Sequence, residues 1–194
     1  MNRSNIMAIR IFIDQGHNPV NPNAGAEVDG IREQDINYEV GVRLAALLNA
    51  NPNFEARLSR NSPTEQLGTS TTTSLQARVY GANSWPADFF ISLHCNVSEI
   101  LTASGSEAYV YSADTPAYYM ATRILEGLNY MTGLTNRGVM INTRLYVLRA
   151  TAMPAILVEM GFMTNPRDLA LLTSDPQSFA RGIYYGILAY YGLL

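Results

Sequence analysis

An α/β architecture is what this chain predicts: a single domain built on a twisted, mixed but mostly parallel sheet of about six strands, flanked by helices on both faces. Three observations carry the prediction. Short apolar runs alternate along the chain with longer stretches of helical period, the pattern of βα units. Two of the runs, ADFFISLHCN (87–96) and PAILVEMGF (154–162), have apolar cores (FFISL and AILV), as in strands buried on both faces. And 194 residues, 47% of them hydrophobic, suffice for one full core, with no internal repeat or linker to divide it, so one domain is expected over 1–194.

The elements follow in order. Residues 1–7 read as a flexible leader without an apolar stretch of signal-peptide length. IRIFID (9–14) is a strand, and the Gly/Asn/Pro-rich QGHNPVNPNAGAEVDG (15–30) an irregular loop. From Arg32 the period turns helical, with Ile36, Val40, Leu44 and Leu47 on one face and Glu33 and Asp35 in the first turn. FEARLSR (54–60) alternates as a second strand. TEQLGTSTTTS (64–74) is a polar surface segment that leads to a helix over SLQARVYGAN (74–83), capped by Ser74.

The apolar strand 87–96 comes next, then the alternating SGSEAYVYS (104–112). Asp114 is expected to open a helix through DTPAYYMATRILEGLNYM. After the Gly/Asn/Arg-rich TGLTNRGVMINT (132–143), LYVLR (145–149) reads as a short strand and 154–162 as a buried one, with Pro154 at its entry. NPRDLALL (165–172) and SFARGIYYGILAYY (178–191) close the chain as helices. The last is apolar but shorter than the roughly 20 residues of a membrane span, and it carries Arg181. The tyrosine-rich stretches are expected to face the core.

Composition excludes several functions. A net charge of −3 leaves no basic field to gather the phosphates of a nucleic acid. Cys95 is the single cysteine, so there is neither an internal disulfide nor a cysteine-rich zinc site. Metal chemistry must use histidine and carboxylate.

In such sheets functional groups gather beyond the carboxyl ends of the strands. The chain has two histidines, and both follow apolar runs: His17 after IFID and His94 after FFISL. Glu159 follows AILV, and Glu33 begins the helix that the first loop leads into. Each has an ordinary alternative. Gly-His-Asn at 16–18 makes a turn, His94 suits a satisfied core imidazole, Glu33 answers a helix dipole, and Glu159 fits a buried ion pair. Together, two imidazoles and a carboxylate form a three-ligand zinc set with a fourth position open to water. A second carboxylate beside it could move that water's proton to a leaving amine. Cys95, adjacent to His94, alternates to the opposite face as a buried thiol.

IDQGHNP, the acid of GIREQD, FFISLHCN and PAILVEMGFMTNPRD stand in the order and spacing of the zinc-dependent N-acetylmuramoyl-L-alanine amidases, which this chain resembles over nearly its whole length. LSRNSP, SLQARVYGAN and NRGVMINTRLYVLR are similar to that family as well. The resemblance implies a twisted mixed sheet, one zinc ion per chain held by His17, Glu33 and His94, and Glu159 as the catalytic base and acid. It further implies peptidoglycan as substrate, cut between the lactyl group and L-alanine at the bacterial wall, as by an autolysin or endolysin or in sporulation or germination; a monomer is expected. Gln15 and NPVNPNAG depart from the family's usual first loop and leave substrate fit open. A peptidoglycan-binding module, a zinc peptidase of the stem peptide and a metal-free structural protein are the rival expectations.

Overall fold

A computed structural model of the protein describes residues 8–194; the leader expected over 1–7 lies outside them. Strand β1 (Ile9–Gln15) is followed by a two-stranded ribbon, β2 (Glu27–Val28) and β3 (Ile31–Arg32), and then by helix α1 (Glu33–Asn49). Next come β4 (Phe54–Leu58), α2 (Thr71–Ser84), β5 (Phe89–Asn96), β6 (Ser106–Val110) and α3 (Pro116–Thr132). The chain continues through β7 (Asn136–Ile141), α4 (Tyr146–Ala150), β8 (Ala155–Phe162), α5 (Pro166–Ser174) and α6 (Pro176–Tyr191).

Six strands form the main sheet in the order β4-β1-β5-β8-β6-β7. The first four run parallel, whereas β6 is antiparallel to β8 and parallel to β7. The predicted mixed, mostly parallel sheet is therefore correct, and its consequence is geometric. The carboxyl ends of β1, β5 and β8 meet the amino ends of β6 and β7 at one edge.

Strand alternation sorts the side chains to two faces. On one, α1, α3 and α6 pack over Ile11, Ile13, Ile91, Leu93, Ala108, Val110, Ile156 and Val158. Helices α3 and α6 approach so closely that a Cβ on Gly127 would meet the carbonyl oxygen of Gly182 at 2.2 Å. On the other face α2 and α4 cover Phe12, Phe90, Ala155 and Leu157 through Val79, Ala82, Val147 and Leu148. Tyr118, Tyr184, Tyr190 and Tyr191 pack on the larger core as expected, while Tyr111, Tyr119 and Tyr185 are exposed.

Several boundaries differ from expectation. LYVLR is helix α4, not a strand, and the strand missed is β7, inside the stretch read as punctuation. Gly138 sits there in a left-handed conformation (φ 91°) where the β6–β7 register shifts, so its glycine marks a bulge rather than a loop. The two errors cancel in the count of six. Helix α2 starts earlier, because Ser70 and Thr73 exchange hydrogen bonds in a capping box; Ser74 is buried in the first turn and accepts from Asn23. Thr115, with Pro116 behind it, caps α3, leaving Asp114 outside at φ 55°. In α1, Leu48 rather than Leu47 completes the innermost stripe. The first loop is less irregular than expected, since Asp29 and Gly30, both at positive φ, turn the β2–β3 ribbon.

Candidate active site

The register aligns the site. His94 of β5 pairs with Glu159 of β8, and Glu159 pairs with Glu107 of β6, so the three stand in one row on one face. Neither His94 nor Glu159 lies at its strand's last residue, since β5 runs to Asn96 and β8 to Phe162. His17 follows β1 directly, and Glu33, at the start of α1, reaches back over the sheet edge.

Glu33 joins the two histidines. Its Oε2 lies 3.2 Å from His17 Nε2 and its Oε1 3.0 Å from His94 Nδ1. The backbone N–H groups of Ala26 and Cys95 donate to the same two oxygens, and Asn37 Nδ2 donates to Oε1. Burial alone would raise the Glu33 pKa, but the hydrogen bonds and charges of the two imidazoles overturn this and hold it well below the usual carboxylate range. Burial likewise works against a protonated His94, yet Glu33 prevails and raises its pKa.

A buried frame aims His17. The residue is left-handed (φ 69°), a costly conformation for a side chain with a Cβ. Arg78, 1% exposed on α2, holds it by donating to the His17 carbonyl at 2.6 Å and to Asn18 Oδ1. The same guanidinium pairs with Asp14, which also accepts from Ser92 Oγ at 2.7 Å. Burial pushes Asp14 up, but the Arg78 charge and the hydrogen bonds of Ser92 and Arg78 leave its pKa lowered. Asn18 bridges Pro22 and Leu67 and so ties the loop to the segment before α2.

The ligand atoms of His17, Glu33 and His94 all lie within 4.8 Å of one another, and the set suits a tetrahedral divalent ion. Space around them is kept clear by glycines. A Cβ on Gly16 would meet the His94 ring at 2.4 Å, and one on Gly25 would meet Glu33 at 2.7 Å and His17 at 2.9 Å. Cys95 is buried on the other face, as expected, and burial raises its pKa well above the ordinary value. It takes no place in the cluster.

Glu159 is the unsatisfied member of the row. Among the described residues its Oε2 is buried with no hydrogen-bond partner. Burial is the largest cause pushing its pKa up to about 7; His94 opposes this, and Glu33 and Glu107 add to it. Such a carboxylate is suited to exchanging protons near neutrality.

Two further buried carboxylates, Glu107 in the row and Asp168 outside it, were not singled out as site residues by the motifs. Glu107 is 4% exposed; its Oε1 accepts from Asn96 Nδ2 and Tyr109 Oη, each at 2.8 Å, and its Oε2 from Arg137 Nε at 2.8 Å. The available signal was the alternation of SEAYV, which turns a lone carboxylate inward and demands a cation or donors. Asp168, also buried, accepts from Ser104, Gly105 and Phe162 and fastens the end of β8 away from the histidines.

An α/β sheet with a His-Glu-His cluster and a buried carboxylate beside it, near its carboxyl edge, is an arrangement suited to metal-assisted hydrolysis. Residues 11–189 match the N-acetylmuramoyl-L-alanine amidase family, and the chain belongs to it. It is 35% identical over 193 residues to the amidase CwlM of Bacillus licheniformis, covering 95% of this chain and 70% of that one. LytC of Bacillus subtilis (strain 168) is 33% identical over 93% of this chain, which spans only 35% of LytC. The crystal structure of the amidase from Clostridium difficile 630 superposes with a TM-score of 0.84 at 29% identity, covering 95% of this chain and 97% of that one. The family, fold and enzyme class expected from the motifs are thereby established.

Proposed function

We propose that residues 1–194 form one catalytic domain that binds a single zinc ion through His17, Glu33 and His94. The domain then hydrolyses the amide between the lactyl group of N-acetylmuramic acid and L-alanine of the stem peptide. The observation that most supports this is Glu159 Oε2, buried and unpartnered one strand from His94. An orphaned buried carboxylate oxygen is costly unless a ligand or proton meets it.

Zinc, when bound, supplies a Lewis acid that polarises a carbonyl and acidifies water. The protein's residues supply the rest. Glu159, titrating near 7, takes a proton from the attacking water and returns it to the alanine nitrogen as that departs. Glu33 stays anionic and keeps both imidazole rings turned toward one point, while Asn37 and the Cys95 N–H fix its carboxylate. Arg78 holds the His17 backbone in its left-handed turn.

The substrate places the activity at the bacterial cell wall, outside the cytoplasmic membrane. Among the described residues no helix is long and apolar enough to cross a membrane. One chain carries all three donors and Glu159, which supports a site that needs no second subunit, as in a monomer. Digestion of purified peptidoglycan, followed by mass spectrometry, tests the reading. New L-alanine amino termini and lactyl carboxylates are expected, lost with a zinc chelator and restored by zinc. Cuts within the stem peptide, or cleavage indifferent to chelation, would refute it.

A further inference from the structure

The row His94–Glu159–Glu107 continues to one more strand. Arg137, early in β7, reaches back across β6 to donate through Nε to buried Glu107, with its guanidinium 4.9 Å from the centre of the Phe162 ring. Asn96 and Tyr109 occupy the other Glu107 oxygen, so the carboxylate is held from three sides and cannot follow a moving arginine. Nη1 makes one long contact, 3.4 Å, with the Ser104 carbonyl, and Nη2 has no acceptor among the described residues. The side chain is 38% exposed. A buried carboxylate, two donors to it and an aromatic ring thus fix a guanidinium whose outer edge is open.

That edge lies on the half of the sheet which α2 and α4 leave uncovered. Those helices close over Phe12, Phe90 and Leu157, whereas on the same face of β6 and β7 Tyr109, at the margin of that cluster, and Met140 are only half-buried. The open strip leads from Glu159 toward Arg137.

We propose that Arg137 forms a carboxylate-recognising subsite for the stem peptide, reading the acidic residue that follows L-alanine. This rests on the amidase reading above. Strands lie about 4.8 Å apart, so β7 runs roughly 10 Å from β8, and the arginine leans back over part of that gap. An extended peptide advances about 3.4 Å per residue, which brings the α-carboxylate of the second stem residue within reach when the scissile amide is at Glu159. The planar guanidinium presents paired N–H groups along its Nη1–Nη2 edge, the geometry that grips a carboxylate with two bonds. Because Glu107 is anchored independently, binding a second carboxylate does not require breaking the first pair.

Two substrates isolate the contact: N-acetylmuramoyl tripeptides with a γ-linked second residue, differing only in whether that residue carries an α-carboxylate or an α-carboxamide. The wild-type enzyme should show a KM about 10-fold lower for the carboxylate, the scale of one charge-assisted hydrogen bond. In Arg137→Gln that ratio should fall to about 1, and in Arg137→Lys, which keeps a cation beside Glu107, to a value between. A general loss of packing would raise both KM values and preserve the ratio. A wild-type ratio near 1, or an undiminished ratio in either variant, overturns the proposal. Should the glutamine variant fail to fold, the lysine variant carries the comparison. Calorimetric titration with the two released tripeptides reads the same ratio as Kd without turnover. A protein that cleaves neither substrate would therefore sink the amidase reading while still reporting on Arg137.

Discussion

The two faces of the sheet are built from different materials. Beneath α3 and α6 the packing is aliphatic, and the helices meet backbone to backbone at Gly127 and Gly182. Where α2 meets the sheet the packing holds buried charge: Arg78 of the helix pairs with Asp14 of β1, which Ser92 also meets, among Phe12, Phe90 and Leu157. Aliphatic contact stabilises without direction, whereas a buried guanidinium with five acceptors fixes orientation at a cost in desolvation. One face supplies stability, and the other supplies aim.

The sharpest test of that division changes chemistry and leaves both faces intact. Glu159→Gln should lower kcat by about 10²–10⁴-fold, the range of a lost general base, while retaining one zinc per chain by elemental analysis. Substantial residual turnover would remove Glu159 from its role. On the polar face, Arg78→Met leaves Asp14 buried without its cation. Denaturant unfolding should show a loss of about 3–5 kcal/mol, together with weaker zinc affinity as the His17 turn relaxes. If stability falls but zinc affinity does not, Arg78 stabilises without aiming.

The aliphatic face should behave oppositely. Leu128→Ala removes a fully buried side chain and should cost about 2–5 kcal/mol, with kcat and KM of the folded fraction unchanged. A kinetic effect there would break the separation between faces.

Protons offer another contrast. The Glu159 pKa is raised in the folded state from 4.5 to about 7, so the native protein binds more protons than the unfolded chain across that window. The sign is that stability is fully present below pH 4.5 and is lost as pH rises through 7, by ~3 kcal/mol at most. His94, also raised, adds a loss in the same direction above 6.5. Chelated protein should therefore unfold more readily at pH 8 than at pH 5, and Glu159→Gln should flatten the slope. Asp14 and Glu33, both lowered, act at the acid end, where stability falls as carboxylates protonate. The smallest effect concerns the start of α2: Ser70→Ala should cost about 1 kcal/mol by thermal unfolding, for loss of the cap alone.

The candidate site stands out in the sequence because its residues interrupt apolar runs. His17, His94 and Glu159 each follow buried hydrophobic side chains, where a polar group must have a reason. Glu107 and Arg137 escaped because they lie in segments of mixed polarity, where one more charge carries no contrast. Strand β7 escaped for a related reason: Gly138 and Asn136 signal turns locally, and only pairing with β6 makes a strand of them. LYVLR has apolar residues enough for either state, and five residues are too few for periodicity to decide.

The sheet order also has a meaning in time. Strands β5 and β6 are consecutive in the chain yet not neighbours, because β8 is inserted between them. His17, Glu33 and His94 precede β6 in the chain, but Glu159 arrives only with the strand that fills the gap. Until then β6 and β7 have no seat beside β5, and no partial chain holds both the histidines and the carboxylate opposite them. The protein thus acquires its full set of candidate reacting groups only when the sheet closes.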